Sequence, residues 1–104
     1  MLIRISKSAK LAFLSILDRY NEFAGPMSAD RFALLVDEKL EMLAKYPYVG
    51  HPEPLLIHKR RKYKAKSINK HYDIIYYVTK TTIWVVDFWD RRCDPLRLAN
   101  RIRG

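Results

Sequence analysis

Two apolar runs, residues 72–79 and 82–89, are joined by only Lys80 and Thr81. The first holds Ile74, Ile75, Tyr76, Tyr77 and Val78; the second holds Ile83, Trp84, Val85, Val86, Phe88 and Trp89. β-Branched and aromatic residues at this density read as strands, and a two-residue link admits only an antiparallel hairpin. Apolar side chains stand on both faces, so both strands belong in the centre of a sheet. One face calls for a helical layer. Part of the other must also be covered, or an exposed aromatic patch remains. The rest of the chain is read by how it supplies those layers.

Leu2, Ile3 and Ile5 form a short opening strand, which is stable only when paired with a sheet made later in the chain. From Ser8 the period changes. Ala9, Ala12, Phe13, Ile16, Leu17, Tyr20 and Phe23 recur at spacings of three and four, one stripe of an amphipathic helix. Gly25-Pro26 ends it, and Ser28 is the expected N-cap of a second helix striped by Ala29, Phe32, Val36, Leu40 and Leu43. The short join makes the pair an antiparallel hairpin. Residues 46–54 form a loop, with Pro47, Gly50, Pro52 and Pro54 excluding regular structure. Over residues 62–69 the pattern alternates, with Lys62, Lys64 and Lys66 on one face and Tyr63, Ala65 and Ser67 on the other. Residues 69–71 turn the chain into the hairpin. Asp94-Pro95 starts a short amphipathic helix with Leu96, Leu98, Ala99 and Ile102, and with Arg97, Arg101 and Arg103 as its basic residues. The expected fold is a single α+β domain over residues 1–104: strand, antiparallel helical hairpin, three-stranded antiparallel meander, short C-terminal helix.

The net charge of +9 is lopsided. Residues 1–47 hold seven Lys and Arg against six Asp and Glu, whereas residues 48–104 hold thirteen against five. The second half is therefore the electrostatic face, suited to a polyanion or an acidic protein. Its densest part runs through Lys59, Arg60, Arg61, Lys62, Lys64, Lys66 and Lys70, and Arg91 and Arg92 close the second apolar strand. Cys93 is the sole cysteine, so no intramolecular disulfide forms. The apolar run 11–17 after Lys7 and Lys10 mimics a secretion signal, but Asp18 and Arg19 cut it short and its spacing is helical. No stretch is long enough to span a bilayer, and a cytoplasmic location is expected. His51 and Glu53 in the loop are close enough for acid–base or metal chemistry, although a solvent-facing loop is the favoured reading. No metal-ligand spacing occurs, and neither a metal nor another cofactor is expected.

The order and punctuation of these elements resemble the RelE/ParE superfamily, the toxins of bacterial type II toxin–antitoxin pairs. The resemblance rests on Leu43-Ala44-Lys45-Tyr46-Pro47 with Gly50 three positions on, the lysine strand, and Tyr72, Ile74 and Tyr76 in the next strand. Asp90-Arg91-Arg92 and Asp94-Pro95-Leu96 complete it, so that it covers nearly the whole chain. It implies neutralisation by a cognate antitoxin and a target that is either messenger RNA on the ribosome or DNA gyrase. One branch of the superfamily cleaves messenger RNA without a metal, and another poisons gyrase without cutting. By analogy with the first branch, Lys64, Lys66, Arg91 and Arg92 are the candidate catalytic residues. Lys59, Arg60, Arg61 and Lys62 join them as candidate nucleic-acid contacts. Two positions depart from the nuclease pattern. Asp73 stands where an arginine is expected, and Pro95 and Leu96 stand where a C-terminal tyrosine or histidine is expected; His58 or His71 would have to supply the acid–base group. Inhibition of growth through RNA cleavage or through gyrase is thus the functional expectation. The alternative is a non-catalytic basic nucleic-acid-binding domain.

Overall fold

The computed structural model describes residues 1–102, so Arg103 of the expected C-terminal helix lies outside the described residues. In chain order it holds β1 (Leu2–Ile5), α1 (Lys7–Ala24), α2 (Pro26–Lys45), β2 (His51–Pro52), a 3₁₀ turn (Pro54–Leu56), β3 (Lys64–Ser67), β4 (Tyr72–Val78), β5 (Thr82–Asp90) and α3 (Pro95–Arg101). The sheet order is β1-β5-β4-β3-β2. β1 runs parallel to β5, and every other pairing is antiparallel. The α+β architecture, the helical hairpin and the β3-β4-β5 meander are as expected. The two-residue strand β2 is an addition: the loop doubles back far enough to pair His51 with Ala65 and Pro52 with Lys64.

Local chemistry sets the boundaries. Ser6 is extended, and its hydroxyl accepts from the Ala9 N–H at 3.1 Å, so α1 begins one residue earlier than its apolar stripe implies. Ser28 is not the cap of α2. Gly25 takes φ 91°, a conformation cheap only for glycine, and Pro26 occupies the first helical position, where its missing N–H costs nothing. The Ser28 hydroxyl donates instead to the Ala24 carbonyl at 3.3 Å. The helices are joined by a single residue. β3 starts at Lys64 instead of Lys62 and stops at Ser67, where Asn69 takes over: its side-chain oxygen accepts from the N–H groups of His71 and Tyr72.

The sheet is the middle of three layers. On one face Ile16, Phe32, Val36 and Leu43 of the helical hairpin pack on Ile74, Tyr76, Ile83 and Val85. On the other, Leu56, Leu98 and Ile102 close over Tyr63, Ala65, Ile75 and Trp89. The 3₁₀ turn and α3 are thus the cover that a sheet apolar on both faces demands. Full burial of each large apolar side chain stabilises by about 1.5–3 kcal/mol. A bulge opposite Ile75 and Tyr76 leaves Val86 as the extra residue and turns Val86 and Asp87 both toward the α3 side. Phe23 and Leu96, both placed on apolar stripes by spacing, are 79% and 72% exposed because each lies at a helix end beyond its covering layer. No helix among the described residues is long and apolar enough to cross a membrane.

Candidate functional site

Lys64 and Lys66 stand opposite Tyr76 and Ile74 in the β3–β4 register, which puts their side chains on the helix-hairpin side of the sheet. They alternate with buried Tyr63 and Ala65, as the sequence pattern implies. Lys64 Nζ donates to the Gly50 carbonyl at 3.4 Å and lies 6.0 Å from the Tyr48 ring centre. The Gly50 N–H in turn donates to the Tyr76 hydroxyl at 3.0 Å, so the loop, the lysine strand and the core tyrosine form one connected unit.

Arg91 and Arg92 follow the last residue of β5 and diverge to opposite faces. Arg91 donates to Asp73 Oδ1 at 2.9 Å and to the Asn69 carbonyl at 2.6 Å. Arg92 grips Asp90 through Nε and Nη2, each at 3.0 Å, and its Nη2 also donates to the Tyr72 hydroxyl at 3.3 Å. Tyr72 and Asp73 are adjacent on β4, so their partners are separated by the sheet itself. Burial pushes the Asp73 carboxyl up, opposed by the charges of Arg91 and His51. Asp90 behaves oppositely. Burial raises it, but the hydrogen bonds from Arg92 and the nearby Arg19 charge outweigh burial and hold it below the ordinary carboxylate range.

Asp73, expected amid the lysine surface, therefore lies on the other face and neutralises Arg91. The remaining basic candidates also scatter. Arg60, Arg61 and Lys62 are exposed in the segment before β3, and Lys59 is half-buried. Arg61 sits 4.3 Å above the Tyr77 ring on the α3 side. Lys64, Lys66 and Arg92 share the helix side, while Arg61 and Arg91 belong to the opposite one. His58 is exposed. His71, half-buried, lines a cleft of about 280 Å³ with Arg19, Tyr20, Tyr72 and Arg92. Glu53 is buried and caps the 3₁₀ turn by accepting from the Leu55 N–H at 3.2 Å, a structural task, while His51 is exposed on β2. Both border a cleft of about 290 Å³ with Asp73, Arg91 and Cys93. Among the described residues no group of three or more His, Cys, Asp or Glu gathers as a metal site would.

Arg19, Arg97 and Asp87 were not among the candidate site residues read from the sequence. Arg19 sits between stripe positions of α1 and reaches within 3.9 Å of Asp90. Asp87 is 2% exposed; Arg101 of α3 donates to its Oδ1 at 2.7 Å, and its Oδ2 has no hydrogen-bond partner among the described residues. Burial pushes the Asp87 carboxyl up to about 6, against the pull of Arg101 and of the Phe88 N–H. The available signal was an aspartate inside an otherwise apolar strand, which has to be paired from another element.

Residues 3–95 match the family model described as the ParE toxin of the type II toxin–antitoxin system, parDE. No curated protein matches the chain in sequence. In structure the chain is similar to one from the chromosomal ParDE toxin–antitoxin system of P. aeruginosa, at 15% identity and TM-score 0.71, covering 86% of this chain and 95% of that one. It is also similar to the YoeB/ParE toxin from Agrobacterium tumefaciens, at 15% identity and TM-score 0.60, covering 88% of this chain and 99% of that one.

Proposed function

The chain belongs to the family of ParE toxins of type II toxin–antitoxin systems, and from that premise we propose that it arrests growth in the cytoplasm by poisoning DNA gyrase and cleaves no RNA. A cognate antitoxin holds it inactive. The observation that carries the choice of target is the division of the candidate residues between two faces. Metal-free RNA cleavage needs a base for the 2′-hydroxyl, cations at the phosphate and a proton donor for the leaving oxygen, all around one point. Here Lys64 and Lys66 project to one side of the sheet and Arg91 to the other. Each arginine is also paired with a carboxylate, which offsets part of the positive charge it could bring to a scissile phosphate. A poison that acts by binding needs only a surface, and the helix-side residues Lys64, Lys66 and Arg92 supply one. In this reading Arg91 is a structural residue that neutralises Asp73.

The test runs purified toxin against purified gyrase with relaxed plasmid, and in parallel against ribosomes translating a defined messenger. Loss of supercoiling with intact messenger is expected. Messenger cut at the ribosome, with gyrase unaffected, selects the nuclease reading instead. Arg91→Ala should lower stability while leaving gyrase inhibition by the folded fraction unchanged; Lys64→Ala with Lys66→Ala should weaken inhibition without loss of fold.

A further inference from the structure

A second basic surface lies where α1, the end of β5 and α3 meet. Arg19 is shared by two adjoining clefts. The first, of about 280 Å³, also presents Tyr20, His71, Tyr72 and Arg92. The second, of about 260 Å³, presents Ser15, Asp90, Cys93, Arg97 and Arg101. Four arginines thus follow one edge of the molecule, and no lysine lines either cleft. Three of them rest against aromatic rings: Arg19 and Arg92 lie 6.0 and 5.6 Å from the Tyr72 ring centre, and Arg101 lies 5.5 Å from that of Trp89. Buried carboxylates pair with the same three: Asp90 with Arg92 at 3.0 Å and more loosely with Arg19 at 3.9 Å, and Asp87 with Arg101 at 2.7 Å. Arg97 makes no ion pair among the described residues.

Arg92 and Arg101, hydrogen-bonded to their carboxylates, have less rotamer freedom left to lose, and guanidinium N–H edges suit the paired oxygens of a phosphate. Asp18 and Glu22, the acidic neighbours of Arg19 on α1, line neither cleft. A single pocket would take a single anion. Two clefts joined through one arginine match a repeating one.

We infer that this arginine edge binds the phosphodiester backbone of duplex DNA, so that the toxin itself touches nucleic acid. The inference rests on the gyrase reading only for the source of that DNA. The contact is therefore tested without gyrase, by anisotropy of a labelled duplex oligonucleotide titrated with the full-length toxin across a range of salt concentrations. Binding that weakens linearly in log–log form with salt is expected. The double variant Arg19→Gln/Arg97→Gln leaves the Asp87–Arg101 and Asp90–Arg92 pairs intact, and it should lower the slope by about 2, roughly one for each lost phosphate contact. Lys39→Gln/Lys80→Gln removes the same charge elsewhere and serves as control, with circular dichroism confirming the fold of both variants. Four results would overturn the inference: no binding at low salt, an equal loss in the control, tighter binding to single-stranded RNA of the same length, or tighter binding to polyglutamate. Gyrase inhibition that persists in the arginine variant despite lost DNA binding would leave the target assignment standing and remove DNA contact from its mechanism.

Discussion

Asp87 is the residue whose chemistry is most out of keeping with its surroundings. It is 2% exposed in the centre of the sheet, with one oxygen on Arg101 and the other without a partner among the described residues. Its carboxyl binds a proton more tightly folded than unfolded, with a folded value of about 6 against an ordinary 3.8. The contribution of this group to stability is therefore complete below its ordinary value and is lost as pH rises through about 6. Urea midpoints of the wild type and of Asp87→Asn between pH 4 and pH 8 isolate it. The difference should move in favour of the asparagine variant by about 3 kcal/mol on passing through that window. A difference that does not change with pH would mean that Arg101 fully compensates the buried charge. Asp90 shows that the same side chain responds oppositely when Arg92 grips both its oxygens, and this pair is what fixes the arginine at the end of β5.

At the scale of elements, the loop before β3 is held by contacts that only a glycine permits. A Cβ on Gly50 would fall on the Tyr76 hydroxyl and 2.8 Å from the Ala65 carbonyl oxygen. Tyr76 is fully buried and Ala65 is part of the β2–β3 pairing, so neither can step aside at little cost. Gly50→Ala should destabilise by about 1–3 kcal/mol in thermal or urea melts, as overpacking does elsewhere, and should loosen β2 and the Lys64 contact with the loop. A melt indistinguishable from wild type would show that the loop is free to shift. The helical hairpin has a comparable device in Gly25 and Pro26. The sequence signalled a break there, and the break is one residue long because glycine takes the positive φ and proline begins the next helix.

For the molecule as a whole, the three layers are unequal. The hairpin layer is two helices of 18 and 20 residues, while the opposite layer is one 3₁₀ turn and a seven-residue helix held by Leu98, Ile102 and the Asp87–Arg101 pair. Opening α3 also returns Asp87 to water and recovers part of what its burial costs. Native-state hydrogen exchange should therefore show α3 and residues 53–63 opening below the free energy of global unfolding, with β4 and β5 exchanging last. Amides of α3 as slow as those of β5 would contradict this.

The apolar hairpin, the two helical stripes and the turn at Asn69 were legible in the sequence because each depends on local spacing and on the chemistry of one or two residues. They sufficed for the α+β class and for the resemblance to a toxin family. Charge counts located a basic half of the chain but carried no information on which side of the sheet each cation faces. That depends on strand register and on a bulge that leaves Val86 unpaired, both outcomes of packing across the sheet. Tertiary structure alone separated Lys64 and Lys66 from Arg91, tied Arg91 and Arg92 to Asp73 and Asp90, and brought Arg19, Arg97 and Arg101 to one edge from opposite ends of the chain. The sequence by itself determined that this chain would build a two-faced central sheet with a strongly basic half. How the basic groups are shared between the faces was decided by pairings between residues far apart in sequence, which no local pattern encodes.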